Sequence, residues 1–138
     1  MKIIMIVISA LIWITPVNAS DTDALKKTIE LYADMDNTYD YKGLKNITHE
    51  SFHFVMHAGK KDEIDIIPRS VYLKGIKSKT FGGGDKVLKI KQVFVKGKVA
   101  TAYFVQKGKA FGFHNFVDFI KLKGSWKLVS STTHMEFY

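Results

Sequence analysis

The 138-residue sequence contains no cysteine. That excludes thiol catalysis, disulfide cross-links and cysteine-ligated zinc, so the fold must hold on packing alone. Arginine is nearly absent as well: Arg69 is the only one among 21 basic residues. Arginine is the preferred residue for bidentate recognition of phosphates and bases. The lysines are scattered through turns and strand edges, where they keep exposed strands from pairing with other chains. No nucleic-acid partner is expected, and the formal charge of +8 (21 minus 13) reads as a solvated surface. There are only two prolines, and charged residues make up 25%, a composition that argues against disorder. No apolar run reaches the roughly 20 residues a membrane-spanning helix needs.

The longest such run, Ile3 to Ile14, follows Lys2 and precedes Pro16 and the small-residue sequence Val17-Asn18-Ala19. This is the layout of a secretory signal peptide. Residues 1–19 are therefore expected to be removed, leaving a mature chain from Ser20 in the periplasm or outside the cell with no stable membrane insertion; the alternative is an uncleaved anchor. Removing Lys2 lowers the formal charge to +7 (20 minus 13). The remaining 20–138, with a sequence 46% hydrophobic overall, suffice for one domain with a real core.

The last fifty residues read as four β-strands. Runs rich in Val, Phe, Ile and Tyr are broken at Lys96-Gly97, Lys107-Gly108 and Lys123-Gly124. Connections this short build an antiparallel meander. Upstream, Leu25, Ile29, Tyr32 and Met35 form one stripe of an amphipathic helix after Ser20 and Asp21, ending at Asn37 and Thr38. A helical turn follows over 41–47, with Leu44 and Ile47 on one side, and then a strand over 51–57. Residues 65–76 are ambiguous, with Pro68 able to start a third helix. Gly82-Gly83-Gly84 follows no strand and precedes no Lys-Ser/Thr, so it is a flexible connection and not a phosphate loop. The expected fold is α+β: a curved antiparallel sheet, four-stranded meander plus one N-terminal strand, packed against two to three helices.

This order, and in particular Phe116-Val117-Asp118-Phe119-Ile120-Lys121-Leu122-Lys123-Gly124-Ser125-Trp126-Lys127-Leu128, resembles the nuclear transport factor 2-like superfamily. That group includes ketosteroid isomerases, polyketide cyclases and the lumazine-binding family of small exported proteins, which looks closest. The resemblance covers about residues 22–136 and implies a cone-shaped, cystatin-like fold. One such scaffold hosts enzymes, binders and adaptors, so it does not by itself name an activity.

Opposed residues in an antiparallel pair share a face. With Leu122 opposite Ser125 and Asp118 opposite Val129, one face collects Ile90, Gln92, Phe94, Val99, Thr101, Tyr103, His114, Phe116, Asp118, Val129, Ser131 and Thr133. The other collects Val93, Ala100, Ala102, Phe113, Val117, Phe119, Trp126 and Leu128. The second is plainly apolar; the first has the mixed composition of a ligand cavity. The pattern leaves open which of them meets the helices.

The resemblance favours the mixed face. It puts Asp118 at the position of the isomerases' pocket aspartic acid and Tyr32 at that of their hydrogen-bonding tyrosine, groups that together make an oxyanion hole. The expected ligand-binding set is Tyr32, Met56, Thr101, Tyr103, His114, Phe116, Asp118 and Val129, around an unknown small molecule. The apolar face is then expected to make a homodimer. Against this stand a strand Asp paired with a lysine and a Tyr that only packs. Met56 occupies the position of the isomerases' general base and cannot take a proton, so the leading expectation is a non-catalytic binding domain. The alternatives are an isomerase or cyclase using Tyr32 and Asp118, and a dimeric adaptor. No cofactor and no metal are expected: His49, His53 and His57 lie about 13 Å apart at every fourth strand residue.

Overall fold

The computed structural model describes residues 19–58 and 62–138. The leader expected at 1–19 thus lies outside the described residues except for Ala19. Three helices pack on one face of a curved, unclosed six-stranded sheet. The elements in chain order are α1 (Ala19–Asn37), α2 (Tyr41–Ile47), β1 (Thr48–His57), β2 (Ile64–Pro68), α3 (Arg69–Lys77), β3 (Val87–Lys96), β4 (Val99–Lys107), β5 (Phe111–Leu122) and β6 (Ser125–Phe137).

The strand order is β2-β1-β6-β5-β4-β3. The meander β3 to β6 is antiparallel throughout, as its short turns require. Two features differ from the sequence expectation. β1 runs parallel to β6, and the ambiguous stretch before Pro68 is a further strand, β2, paired antiparallel to β1. Pro68 sits where its missing N–H costs nothing, at the end of an edge strand and the start of α3.

On α1 the buried stripe is Leu25, Ile29, Tyr32, Ala33 and Asp36. Of these, Leu25, Ile29 and Tyr32 meet Ala100, Ala102, Phe104, Val117, Phe119, Trp126 and Leu128 in one core with Leu44, Phe52, Tyr72 and Ile76. The plainly apolar sheet face is therefore the one under the helices. Trp126 is 4% exposed and Val117 0%, so this face is not available for a homodimer. The mixed face is the convex outer one, with Phe94, Val99 and Phe116 exposed.

Two β-bulges also redistribute residues between the faces. Asp118 pairs with Ser130 rather than with Val129, and Phe119 with Leu128, so Val129 is an extra residue in β6. Ser131 and Thr133 are thereby turned inward, opposite Val117 and Asn115. Lys91 is likewise extra in β3, and Ile90 faces inward opposite Phe104.

Arg69 has a structural use. Its guanidinium donates to Lys45 O at 2.6 Å, to Thr48 O at 3.2 Å and to Thr48 Oγ1 at 3.0 Å. It thus satisfies carbonyls at the C-terminal end of α2 and ties that end to the start of α3.

Candidate ligand cavity

A cavity of about 230 Å³ opens between α1, the end of α3 and the concave sheet face. Its apolar wall comes from Phe54 and Met56 on β1, Ile67 on β2, Phe81 after α3, Phe111 and Phe113 on β5 and Met135 on β6. Its polar wall comes from Tyr32 and Asp36 on α1, Tyr72 on α3, Lys86 before β3, Gln106 on β4 and Asn115 on β5.

The polar wall is built around a buried ion pair. Lys86 Nζ lies 3.0 Å from Asp36 Oδ2, with side chains 3% and 10% exposed, and also donates to Gly83 O. Asn37, the last residue of α1, fixes the approach of Lys86: its amide donates to Lys86 O at 2.8 Å and accepts from Lys86 N at 3.1 Å. Gly83 N donates to Asp36 O at 2.8 Å. At Gly82, with φ +81°, a Cβ would stand 2.6 Å from Asp36 O. The triple-glycine connection is therefore docked on the end of α1, and glycine is what permits so close an approach.

From Asp36 the network continues across the sheet. Tyr72 donates to Asp36 Oδ1 at 3.3 Å, and Gln106 Nε2 lies 3.5 Å from Asp36 Oδ2. Asn115 donates to Gln106 Oε1 at 3.2 Å, and Thr133 donates to Asn115 Oδ1 at 2.7 Å. Ser131 and Thr133 share a hydrogen bond at 3.2 Å. The buried charges thus compensate one another within the protein.

Tyr32 and Tyr72 lie beside this pair, with hydroxyls 3.5 Å apart. Burial, and then the Asp36 carboxylate, pushes the Tyr32 hydroxyl well above the ordinary phenol range. Burial, followed by Tyr32 and Asp36, raises Tyr72 in the same direction. Both stay neutral O–H donors at any physiological pH. Tyr72 has one proton, and the carboxylate is its stronger acceptor. At 3.5 Å the Tyr32–Tyr72 contact lies beyond a good O–H···O bond, so the Tyr32 hydroxyl is left largely unspent within the protein.

Of the eight residues expected to bind ligand, Tyr32 and Met56 line this cavity. Thr101, Tyr103, His114, Phe116, Asp118 and Val129 do not; they belong to the convex side of the sheet. Asp118 is exposed and accepts from Ser130 Oγ at 2.9 Å. Phe116 is 55% exposed and stacks on Tyr103 at 4.6 Å. The expected convergence of Tyr32 with Asp118 is thus corrected, since the sheet separates them. The physical reason is strand alternation, which sends Asp118 outward once Val117 and Phe119 enter the core.

Asp36, Lys86, Gln106 and Asn115 were not anticipated from sequence, although signals for three of them were present. Asp36 continues the α1 stripe by one helical step after Tyr32. Gln106 and Asn115 occupy positions of the apolar face, in step with Phe104 and Val117. A polar residue at a core-facing period is a sequence signal for a buried network.

The comparisons with known proteins agree with this fold. Residues 20–134 match a family whose description reads "Putative lumazine-binding". Among solved structures, a nuclear transport factor 2-like protein of unknown function from Silicibacter pomeroyi matches with TM-score 0.75 at 20% identity, covering 85% of this chain and 97% of that one. A ketosteroid isomerase-like protein from Erwinia carotovora atroseptica matches with TM-score 0.70 at 12% identity, covering 85% and 97%. A protein of unknown function with a cystatin-like fold from Nostoc punctiforme matches with TM-score 0.65 at 13% identity, covering 86% and 92%. No curated protein matches the sequence. At these identities the solved structures share the fold, while the family match spans nearly all of the described chain. The chain belongs to the family described as "Putative lumazine-binding" and shares its fold with nuclear transport factor 2-like proteins.

Proposed function

We propose that this chain is an exported, non-catalytic binding domain whose concave cavity holds one compact planar ring system bearing a carbonyl acceptor. The observation that carries the reading is the pairing of an aromatic and methionine wall with a charge-compensated polar wall on which the Tyr32 hydroxyl has a single long contact, accepting from Tyr72 at 3.5 Å. At about 230 Å³ the space is below the roughly 300–1,000 Å³ typical of drug-sized ligands, which favours one ring system with few substituents. Because Lys86 is neutralised by Asp36, an uncharged ligand is favoured over an anion. The family description points to a flat bicyclic ring of the lumazine kind, and such a ring fits these requirements.

Titration with lumazine, followed by calorimetry and by quenching of its fluorescence, tests the reading. Saturable binding at one site is expected. Tyr32→Phe should weaken it about tenfold, the worth of one hydrogen bond to a neutral acceptor. Failure of lumazine and related planar carbonyl bicycles to bind would overturn the proposal.

Export is supported by the leader-like residues 1–19, and no helix among the described residues is long and apolar enough to cross a membrane. We assign the homodimer contact to the convex face. Phe94 at 65%, Phe116 at 55% and Val99 at 55% exposure form an apolar surface there that a second copy, meeting it across a two-fold axis, would cover with the same residues. Sedimentation of Phe116→Asp against the unaltered protein tests this; an unchanged monomer in both would refute it.

A further inference from the structure

The convex face carries a cluster that the cavity does not use. β1 runs parallel to β6 with His57 beside His134, and β5 runs antiparallel to β6 with His114 opposite His134. Three histidines distant in sequence therefore form a row across three adjacent strands. The His57 and His134 rings are inclined by only 18°, with centroids 5.3 Å apart and their Nδ1 atoms 3.1 Å apart. The centroid separation exceeds the nitrogen separation by 2.2 Å (5.3 minus 3.1), so the rings meet edge to edge, nitrogen toward nitrogen.

We propose that His57 and His134 form a binding site for a borderline divalent transition-metal ion, of which Zn²⁺ and Cu²⁺ are the representatives. With metal–nitrogen bonds of roughly 2.0–2.1 Å, two nitrogens 3.1 Å apart subtend an angle of about 100° at an ion, between square-planar and tetrahedral values. An ion can enter by rotation of the two rings with no change in their nitrogen separation. It replaces the Nδ1–Nδ1 contact by two coordinate bonds.

The surroundings favour a cation. Glu136 lies on the same face of β6, two residues from His134, and its Oε2 is 3.1 Å from His114 Nε2. His114 Nδ1 is held in turn by the Tyr103 hydroxyl at 2.8 Å. Glu136 thus brings a negative charge to the row while His114 is fixed in orientation. Among the described residues no group of three His, Asp or Glu converges on one point, so the ion retains water in its remaining positions. His49 and His53 take no part: the His49 Nδ1 bonds Ser51, and the His53 Nδ1 approaches Ser51 O. The site is independent of the proposed ligand cavity, which occupies the opposite sheet face.

Zn²⁺ titration of the untagged protein, with a competing colorimetric chelator, is the test. One ion per chain is expected. His57→Gln and His134→Gln should each weaken binding by no less than the roughly 10–100-fold that loss of an outer-shell partner costs. His53→Gln should leave it unchanged, and urea unfolding checks that each variant is folded. With Cu²⁺ in place of Zn²⁺, electron paramagnetic resonance should show coupling to two nitrogens, reduced to one in either glutamine variant. Equal affinity in the His134→Gln variant, or no saturable site in the unaltered protein, would overturn the proposal.

Discussion

Removal of one member of the Asp36–Lys86 pair is the sharpest test of how the cavity wall is held. In Asp36→Leu the Lys86 ammonium keeps the Gly83 carbonyl and a weak contact with the Phe113 ring, 5.9 Å from its Nζ, but no opposite charge, in a site where its side chain is 3% exposed. Breaking a buried pair from one side costs about 3–5 kcal/mol, most of it the uncompensated charge. For a domain of this size that corresponds to a fall in Tm of very roughly 12–20 °C, at about 4 °C per kcal/mol. Lys86→Met should cost less, because the stranded Asp36 carboxylate still accepts from Tyr72 at 3.3 Å. The double variant Asp36→Leu/Lys86→Met places two apolar chains against each other and should recover most of the loss, since apolar replacements of buried pairs are often neutral. Urea denaturation of the four proteins gives the coupling directly as departure from additivity. A double variant as unstable as the sum of the two single variants would refute the reasoning.

Trp126→Ala should destabilise the fold by about 3–5 kcal/mol in urea denaturation, as expected for a buried large-to-small change, and should leave the oligomeric state unaltered. Gly82→Ala should lower stability by at least about 1 kcal/mol, because a Cβ at φ +81° meets the Asp36 carbonyl at 2.6 Å, and it should weaken ligand binding more than Gly124→Ala does. Tyr32 and Tyr72 have hydroxyls raised above their unfolded value of 10.0, so the folded state holds protons that the unfolded state releases. Stability from these two is fully present below about pH 10 and is lost as pH rises beyond it. Absorbance titration of tyrosinate should show that two of the six tyrosines ionise only together with unfolding.

The sequence by itself determined the first helix, the four-stranded meander and the apolar residue set of the sheet. Turn glycines between β-rich runs leave only an antiparallel meander, and the α1 stripe needs a sheet to cover it. Period-two alternation correctly grouped Ala100, Ala102, Val117, Phe119, Trp126 and Leu128 on one face. Which face turns inward was decided by tertiary packing, since alternation is symmetric with respect to the two faces. The strong apolarity of this set was the physical clue to it. The alignment that put Asp118 in the cavity ran against this clue, and the core could not have buried Asp118 without expelling Val117 and Phe119.

The bulges at Lys91 and Val129 were also invisible locally, because one extra residue changes the face of everything beyond it without changing composition. The parallel β1–β6 pairing depends on contacts between residues 77 (His57 and His134) to 80 (Thr48 and Leu128) positions apart, which no local pattern encodes. That pairing sets Met56, which lines the cavity, beside the buried Thr133, and His57 beside His134 on the outer face. In-strand spacing had ruled out only His49, His53 and His57 as partners of one another, and it is the sheet register that sets His57 beside His134. Lys86 meets Asp36 for the same reason: fifty positions apart in sequence, they are joined where the glycine connection folds back onto the end of α1.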